Sequence, residues 1–138
     1  MTLIEAIVGV SVTTLMLVAM ISLVTRSMAN SQFAKNKSNA ARLVEEGLES
    51  SRQIRDRASD WEQYKIAYPA GTYSLGSGLT FTPAASCNAD TLNLETFSRC
   101  AVFSDETDTR RIVTITVYWK DGSGSHQTVA QTYLTQWK

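Results

Sequence analysis

The chain has 138 residues with thirteen basic and thirteen acidic side chains, so its formal net charge is zero. That length fits one domain, with just over a hundred residues left for a modest core once an apolar helix is set aside. A balanced charge argues against a protein whose main business is gripping nucleic acid.

The first predicted element is "MTLIEAIVGVSVTTLMLVAMISLVTR". From Ala6 to Thr25 no residue is charged, which matches the ~20 residues an α-helix needs to cross a ~30 Å hydrocarbon core. Glu5 therefore sits at or inside the edge of the oily zone, where an ionised carboxylate costs roughly 2.5 to 3.5 kcal/mol on insertion scales. Three readings meet that cost. Glu5 reaches the headgroups by snorkelling, it pairs with a charged α-amino group at Met1 of its own chain, or it meets the amine of a neighbouring copy shifted along the helix axis. The third reading turns a membrane liability into an assembly signal.

The helical pattern continues past Arg26. Met28, Phe33, Ala40, Val44, Gly47, Leu48, Ser51, Ile54 and Ala58 form a small or apolar stripe at three- and four-residue spacing, and no proline interrupts it. One helix from about Thr2 to about Ala58 is expected, on the order of 85 Å long at ~1.5 Å per residue. Residues 1–25 form its apolar half and residues 26–58 its amphipathic half, which needs a sheet or another helix to cover the stripe. Gly9 with Val10, Val12, Thr13 and Thr14 lowers the local helix propensity.

Residues 26–58 carry seven basic and four acidic side chains, whereas residues 59–138 carry six basic and eight acidic ones. The basic flank would keep that side of the apolar helix in the cytoplasm. Cys87 and Cys100, an even count at short separation in a chain with a membrane or export segment, instead favour a disulfide and an oxidising compartment. A lost basic leader would reconcile the two; two free thiols are the alternative to the disulfide.

Beyond "RASDWEQY" the composition turns to a β signature. "AGTYSLGSGLTFTP" reads as two short strands about Gly76, Ser77 and Gly78, and the cysteine-bounded segment as a loop. In the last stretch Val113, Ile115, Val117 and Trp119 alternate with Thr114, Thr116 and Tyr118, and "DGSGS" turns the chain into a second alternating strand. The expectation for residues 59–138 is a twisted antiparallel sheet of about four strands, packed on the amphipathic half of the helix within one head of residues 26–138.

At this point the residues resemble the type IV pilins and their prepilin-type, or pseudopilin, relatives. The matching words are "TLIEAIVGV" at Thr2 to Val10, with Glu5 in the position of the family's glutamate, then "ARLVEEGLESSRQIRDRASDW" and the closing "VTITVYW…YLTQW". The resemblance implies an α+β type IV pilin fold: a long N-terminal α-helix on an antiparallel β-sheet. It implies that a prepilin peptidase removes a short basic leader just before Met1, that the new amine is N-methylated, and that Glu5 complements the amine of an adjacent subunit. It further implies a homo-polymer built through the N-terminal helices, residence in the inner membrane before assembly, pilus assembly machinery as partner, and a cytoplasmic ATPase as motor. The filament would serve adhesion, twitching motility or DNA uptake, with DNA or a host or cell surface as its possible target. The sequence departs from the family in two places: Ser22 stands where major pilins often carry a helix-breaking proline, and the cysteine pair precedes the last hairpin. Two alternatives stand beside the pilus subunit: a pseudopilin or minor pilin of a type II secretion or competence system, and a single-pass membrane binding module.

Residues for catalysis are sparse, and the expectation is a protein that is not an enzyme and carries no cofactor or metal. His126, the only histidine, stands beside a Gly/Ser turn without a visible nucleophile. The cysteines lack C-x-x-C spacing, and no Gly-rich phosphate loop is present. "DETD" at Asp105 to Asp108 reads as a solvated turn ahead of a calcium loop. Arg52, Arg55 and Arg57 with Trp61 or Tyr64 read as packing ahead of a DNA surface. The aromatics Tyr118, Trp119, Tyr133 and Trp137 read as cross-strand pairs. Asn36-Lys37-Ser38 fits a glycosylation sequon but falls on the predicted helix.

Overall fold

The computed structural model describes residues 2–76, 78–87 and 96–136; Met1, Ser77 and Trp137, which the sequence singles out, lie outside that range. The chain is α+β, in the order α1 (Leu3–Arg57), α2 (Trp61–Ala67), β1 (Gly71–Leu75), β2 (Phe81–Pro83), β3 (Phe97–Thr107), β4 (Arg110–Asp121) and β5 (Gly124–Thr135). It divides into two compact units, Met1–Lys35 and Asn36–Lys138.

In the first unit α1 is unbroken α-helix through Gly9, the β-branched residues after it, and Ser22. In the second unit the C-terminal part of α1 presents a stripe of small residues to the sheet: Ala40, Val44, Gly47, Ser50 and Ser51 are buried. Gly47 is small for a reason. A Cβ there would lie 3.0 Å from Ile115 Cγ2 and 3.2 Å from Leu75 Cδ2, so a larger residue would push helix and sheet apart.

The sheet is antiparallel, in the order β2-β1-β3-β4-β5. Its odd-numbered positions on β4 supply the core, with Val113, Ile115 and Val117 fully buried and Trp119 nearly so, while Ala101 and Phe103 on β3 and Tyr73 and Leu75 on β1 complete the layer. In register, Phe103 lies opposite Val113 and Ala101 opposite Ile115, so one face carries the apolar residues as the period of two requires. Tyr68, Tyr73, Phe81 and Phe103 cluster with ring centroids 4.9 to 6.4 Å apart.

Two features differ from the sequence expectation. The sheet has five strands instead of about four, because β3 runs from Phe97 through Cys100 to Thr107 where a loop and then a solvated turn are expected. A second helix, α2, follows α1 in the chain before the first strand. It forms because Asp60 caps it: its Oδ1 accepts from the Gln63 amide at 2.8 Å, while Gln63 Oε1 accepts from the Ser59 amide at 3.0 Å. This reciprocal arrangement satisfies N-terminal donors on both sides of the cap.

Cys100 has the opposite parity to Ala101 and Phe103, so it lies on the sheet face away from α1. There it is joined to Cys87, with Cα atoms 5.7 Å apart, inside the range that a disulfide requires. Tyr118 donates its hydroxyl to the Cys87 carbonyl at 3.2 Å. The covalent link thus covers the outer face of β3 and leaves Cys100 without solvent exposure.

Candidate functional site

Residues Leu3 to Val24 place their large apolar side chains in the open: Leu3 is 80% exposed, and Ile7, Val10, Leu15, Met20 and Leu23 are each more than half exposed. Among the described residues, α1 is the one helix long and apolar enough to cross a membrane. Four hydroxyls along this apolar half bond back to the helix itself. Ser11, Thr13, Thr14 and Thr25 donate their hydroxyls to the carbonyls of Ile7, Gly9, Val10 and Ile21, at 2.6 to 2.9 Å. Such back-bonding removes the cost of placing a hydroxyl in an apolar medium.

Glu5 is the exception. It lies in the first turn of α1, where its amide donates to the Thr2 carbonyl at 3.1 Å and its negative charge suits the positive end of the helix dipole. Among the described residues, no cation comes within ion-pair distance of its carboxylate. The next charged residue along the chain is Arg26. Met1, the other residue assigned to assembly, N-methylation and leader cleavage, falls outside the described residues.

The remaining candidate chemistry resolves into structural contacts. The acidic run is matched by arginines across a tight turn: Arg111 grips Asp105 in a fork, with Nε to Oδ1 at 2.5 Å and Nη2 to Oδ2 at 3.1 Å, and Arg110 donates to Glu106. No group of three or more potential metal ligands occurs among the described residues. Trp61 and Tyr64 are buried in the core and present no ring to a stacked base. Arg55 pairs with Asp56 at 2.8 Å and Arg52 with Glu49 at 3.4 Å. Asn36 of the sequon is buried on α1.

Asp121, Ser123 and His126 form a constellation that a sequence scan for nucleophiles misses, because its members come together only through the β4–β5 turn. Asp121 Oδ1 lies 3.0 Å from His126 Nε2, and Ser123 Oγ lies 3.1 Å from that same nitrogen. A hydroxyl-activating relay needs the hydroxyl on one ring nitrogen and the carboxylate on the other. Here both crowd Nε2, while Ser123 also bonds Asp121 through its hydroxyl and amide at 2.6 and 2.8 Å, so the cluster is a turn clasp.

The Ser123 hydroxyl first, then the Ser123 amide and more weakly His126, pull the Asp121 carboxyl down to about 2. A depressed carboxylate contributes stability above its unfolded pKa of about 3.9 and loses it as pH falls toward the folded value. Ser123→Ala is therefore expected to move the Asp121 midpoint upward and to shift this turn's acid sensitivity to higher pH. NMR titration of the carboxyl carbon measures both; an unmoved midpoint contradicts the assignment.

No family model matches the chain, and neither does any curated protein or any solved structure.

Proposed function

We propose that the chain is a structural subunit of a type IV pilus, held by α1 in the inner membrane until it polymerises into a cell-surface filament. The observation that carries this reading is Glu5, which meets no cation among the described residues, in the first turn of a helix whose apolar side chains are exposed. Burying that surface requires lipid or neighbouring helices. Burying Glu5 with it requires a cation, and the amine of an adjacent subunit is the one that a helical polymer of this chain would supply. The partners of this reading are therefore other copies of the chain, with a prepilin peptidase and the pilus assembly machinery acting before them. The role of the filament is adhesion, twitching motility or DNA uptake, with hydrolysis left to a separate motor.

Removing one member of a buried ion pair leaves the other uncompensated at roughly 3 to 5 kcal/mol. Glu5→Ala is accordingly expected to leave monomer accumulating in the membrane while fibres in electron micrographs become scarce. Normal fibre yield from the variant would overturn the proposal, and loss of the membrane-held monomer itself would assign Glu5 to insertion instead.

A further inference from the structure

The inward-facing odd positions of β3 read Phe103, Ala101, Arg99 and Phe97, so a guanidinium stands in the layer where an apolar residue is expected. The Arg99 side chain is only 11% exposed. Among the described residues its Nη2 donates to the Gly76 carbonyl at 2.6 Å, while its Nη1 stands 3.7 Å from Glu46 Oε2, outside hydrogen-bond range. Most of its N–H donors therefore meet no acceptor among the described residues. A cation so far withdrawn from water is costly to keep unless a further acceptor reaches it.

Arg99 lines a cleft of about 320 Å³ with Asn39, Arg42 and Leu43 of α1 and with Thr96 and Phe97 at the start of β3. That volume falls within the range of small-molecule sites, about 300 to 1,000 Å³. Arg42 Nη1 stands 3.6 Å from Glu46 Oε1 and Arg99 Nη1 3.7 Å from Glu46 Oε2, so one carboxylate holds both guanidiniums in place without using up their donors. Two guanidiniums against one carboxylate leave a single positive charge beside the cleft, which suits a monoanion. Leu43 and Phe97 give the same cleft an apolar wall.

We infer that this cleft binds a small carboxylic acid, its carboxylate held by Arg42 and Arg99 and its apolar body against Leu43 and Phe97. Guanidinium and carboxylate share the planar fork that makes such a contact strong and directional. Glu46 is the internal competitor for the two arginines. Every residue named lies within Asn36–Lys138, so the inference stands apart from the filament reading of α1.

The test is NMR titration of the 15N-labelled full chain in detergent micelles. Sodium benzoate should shift the Arg42 and Arg99 side-chain signals saturably, and benzyl alcohol, the same ring without a carboxylate, should leave them in place. Arg42→Gln, at a side chain 72% exposed, should weaken benzoate binding by about tenfold or more with the fold unchanged by circular dichroism, because a charge-assisted bond is lost. Glu46→Gln should instead tighten it by about fivefold, because the competing charge is gone. A purely structural ion pair would give no such gain. Shifts that do not saturate or that benzyl alcohol reproduces, unchanged affinity in Arg42→Gln, or no tightening in Glu46→Gln overturns the inference. Arginine signals that move on dilution of the protein alone would assign the cleft to an acidic side chain of another copy and overturn it equally.

Discussion

Asp105→Ala is expected to destabilise the head by about 2 to 4 kcal/mol, a little below the range for breaking a fully buried ion pair because Asp105 is partly exposed. The asymmetry between the partners is the reason. Arg111 is 1% exposed, whereas the Asp105 side chain is 37% exposed. Arg111 is packed with its guanidinium 5.1 Å from the Tyr64 ring centre and 5.9 Å from that of Phe103, and it also donates to the Tyr68 carbonyl. Without Asp105 the buried cation loses its one carboxylate among the described residues and is left with neutral neighbours, the Tyr68 carbonyl and the Tyr64 and Phe103 rings. Arg111→Met removes the charge and keeps much of the packing, so it should cost less, about 1 to 2 kcal/mol, because Asp105 can turn to water.

The double variant should then be little worse than Arg111→Met, a non-additivity that equilibrium denaturation of the four proteins measures directly. Strict additivity would mean that the two side chains act apart. The acid limb gives a second check. The hydrogen bond from Arg111 holds the Asp105 carboxyl below the usual carboxylate range. Its contribution is therefore present above the unfolded carboxylate pKa and fades as pH falls through the lower folded value. Asp105→Ala should remove that part of the acid sensitivity.

Trp61→Ala should be the most damaging single change in the head, at about 3 to 5 kcal/mol for truncating a large buried aromatic. Trp61 is 2% exposed, lies 5.4 Å from the Tyr64 ring, and donates its indole N–H to the Asp108 carbonyl at 2.6 Å. It ties the first residue of α2 to the turn between β3 and β4, so its loss opens a cavity and orphans a carbonyl together. Trp61→Phe keeps most of the apolar area and should cost about 1 to 2 kcal/mol, mainly the hydrogen bond. Chemical denaturation followed by far-ultraviolet circular dichroism separates the two; equal costs would show that the hydrogen bond dominates over the ring's volume.

The parts of the fold that were legible are those with a long, single period. α1 shows twenty uncharged residues and then a stripe at helical spacing, and β4 shows Val113 to Trp119 at a period of two. β3 lacks such a signature for a physical reason. Its two faces are both covered, one by the core at Ala101 and Phe103 and the other by the disulfide at Cys100, so buried residues follow one another instead of alternating. The acids at its end look like a solvated turn until Arg110 and Arg111 fold back beside them, a pairing that only the tight turn creates.

α2 is seven residues long, too short for periodicity, yet the Asp60 and Gln63 spacing of its cap was present in the sequence as a local signal. Trp61 likewise gave no sign of its direction, since an aromatic beside three arginines suits a core as well as a surface. At Glu5 the reverse holds. The contradiction between a carboxylate and its apolar surroundings was readable from the residues, whereas the cation that answers it is supplied by no described residue of the chain.

That missing cation is the centre of the functional proposal, and solid-state NMR on filaments of mixed labelling tests it most directly. One population of chains would carry 15N at the α-amino group of its first residue and the other 13C at the Glu5 carboxyl. The proposal predicts a dipolar contact between the two populations at ion-pair distance, about 4 Å or less between nitrogen and oxygen. A contact found only when both labels reside in the same chain would contradict it.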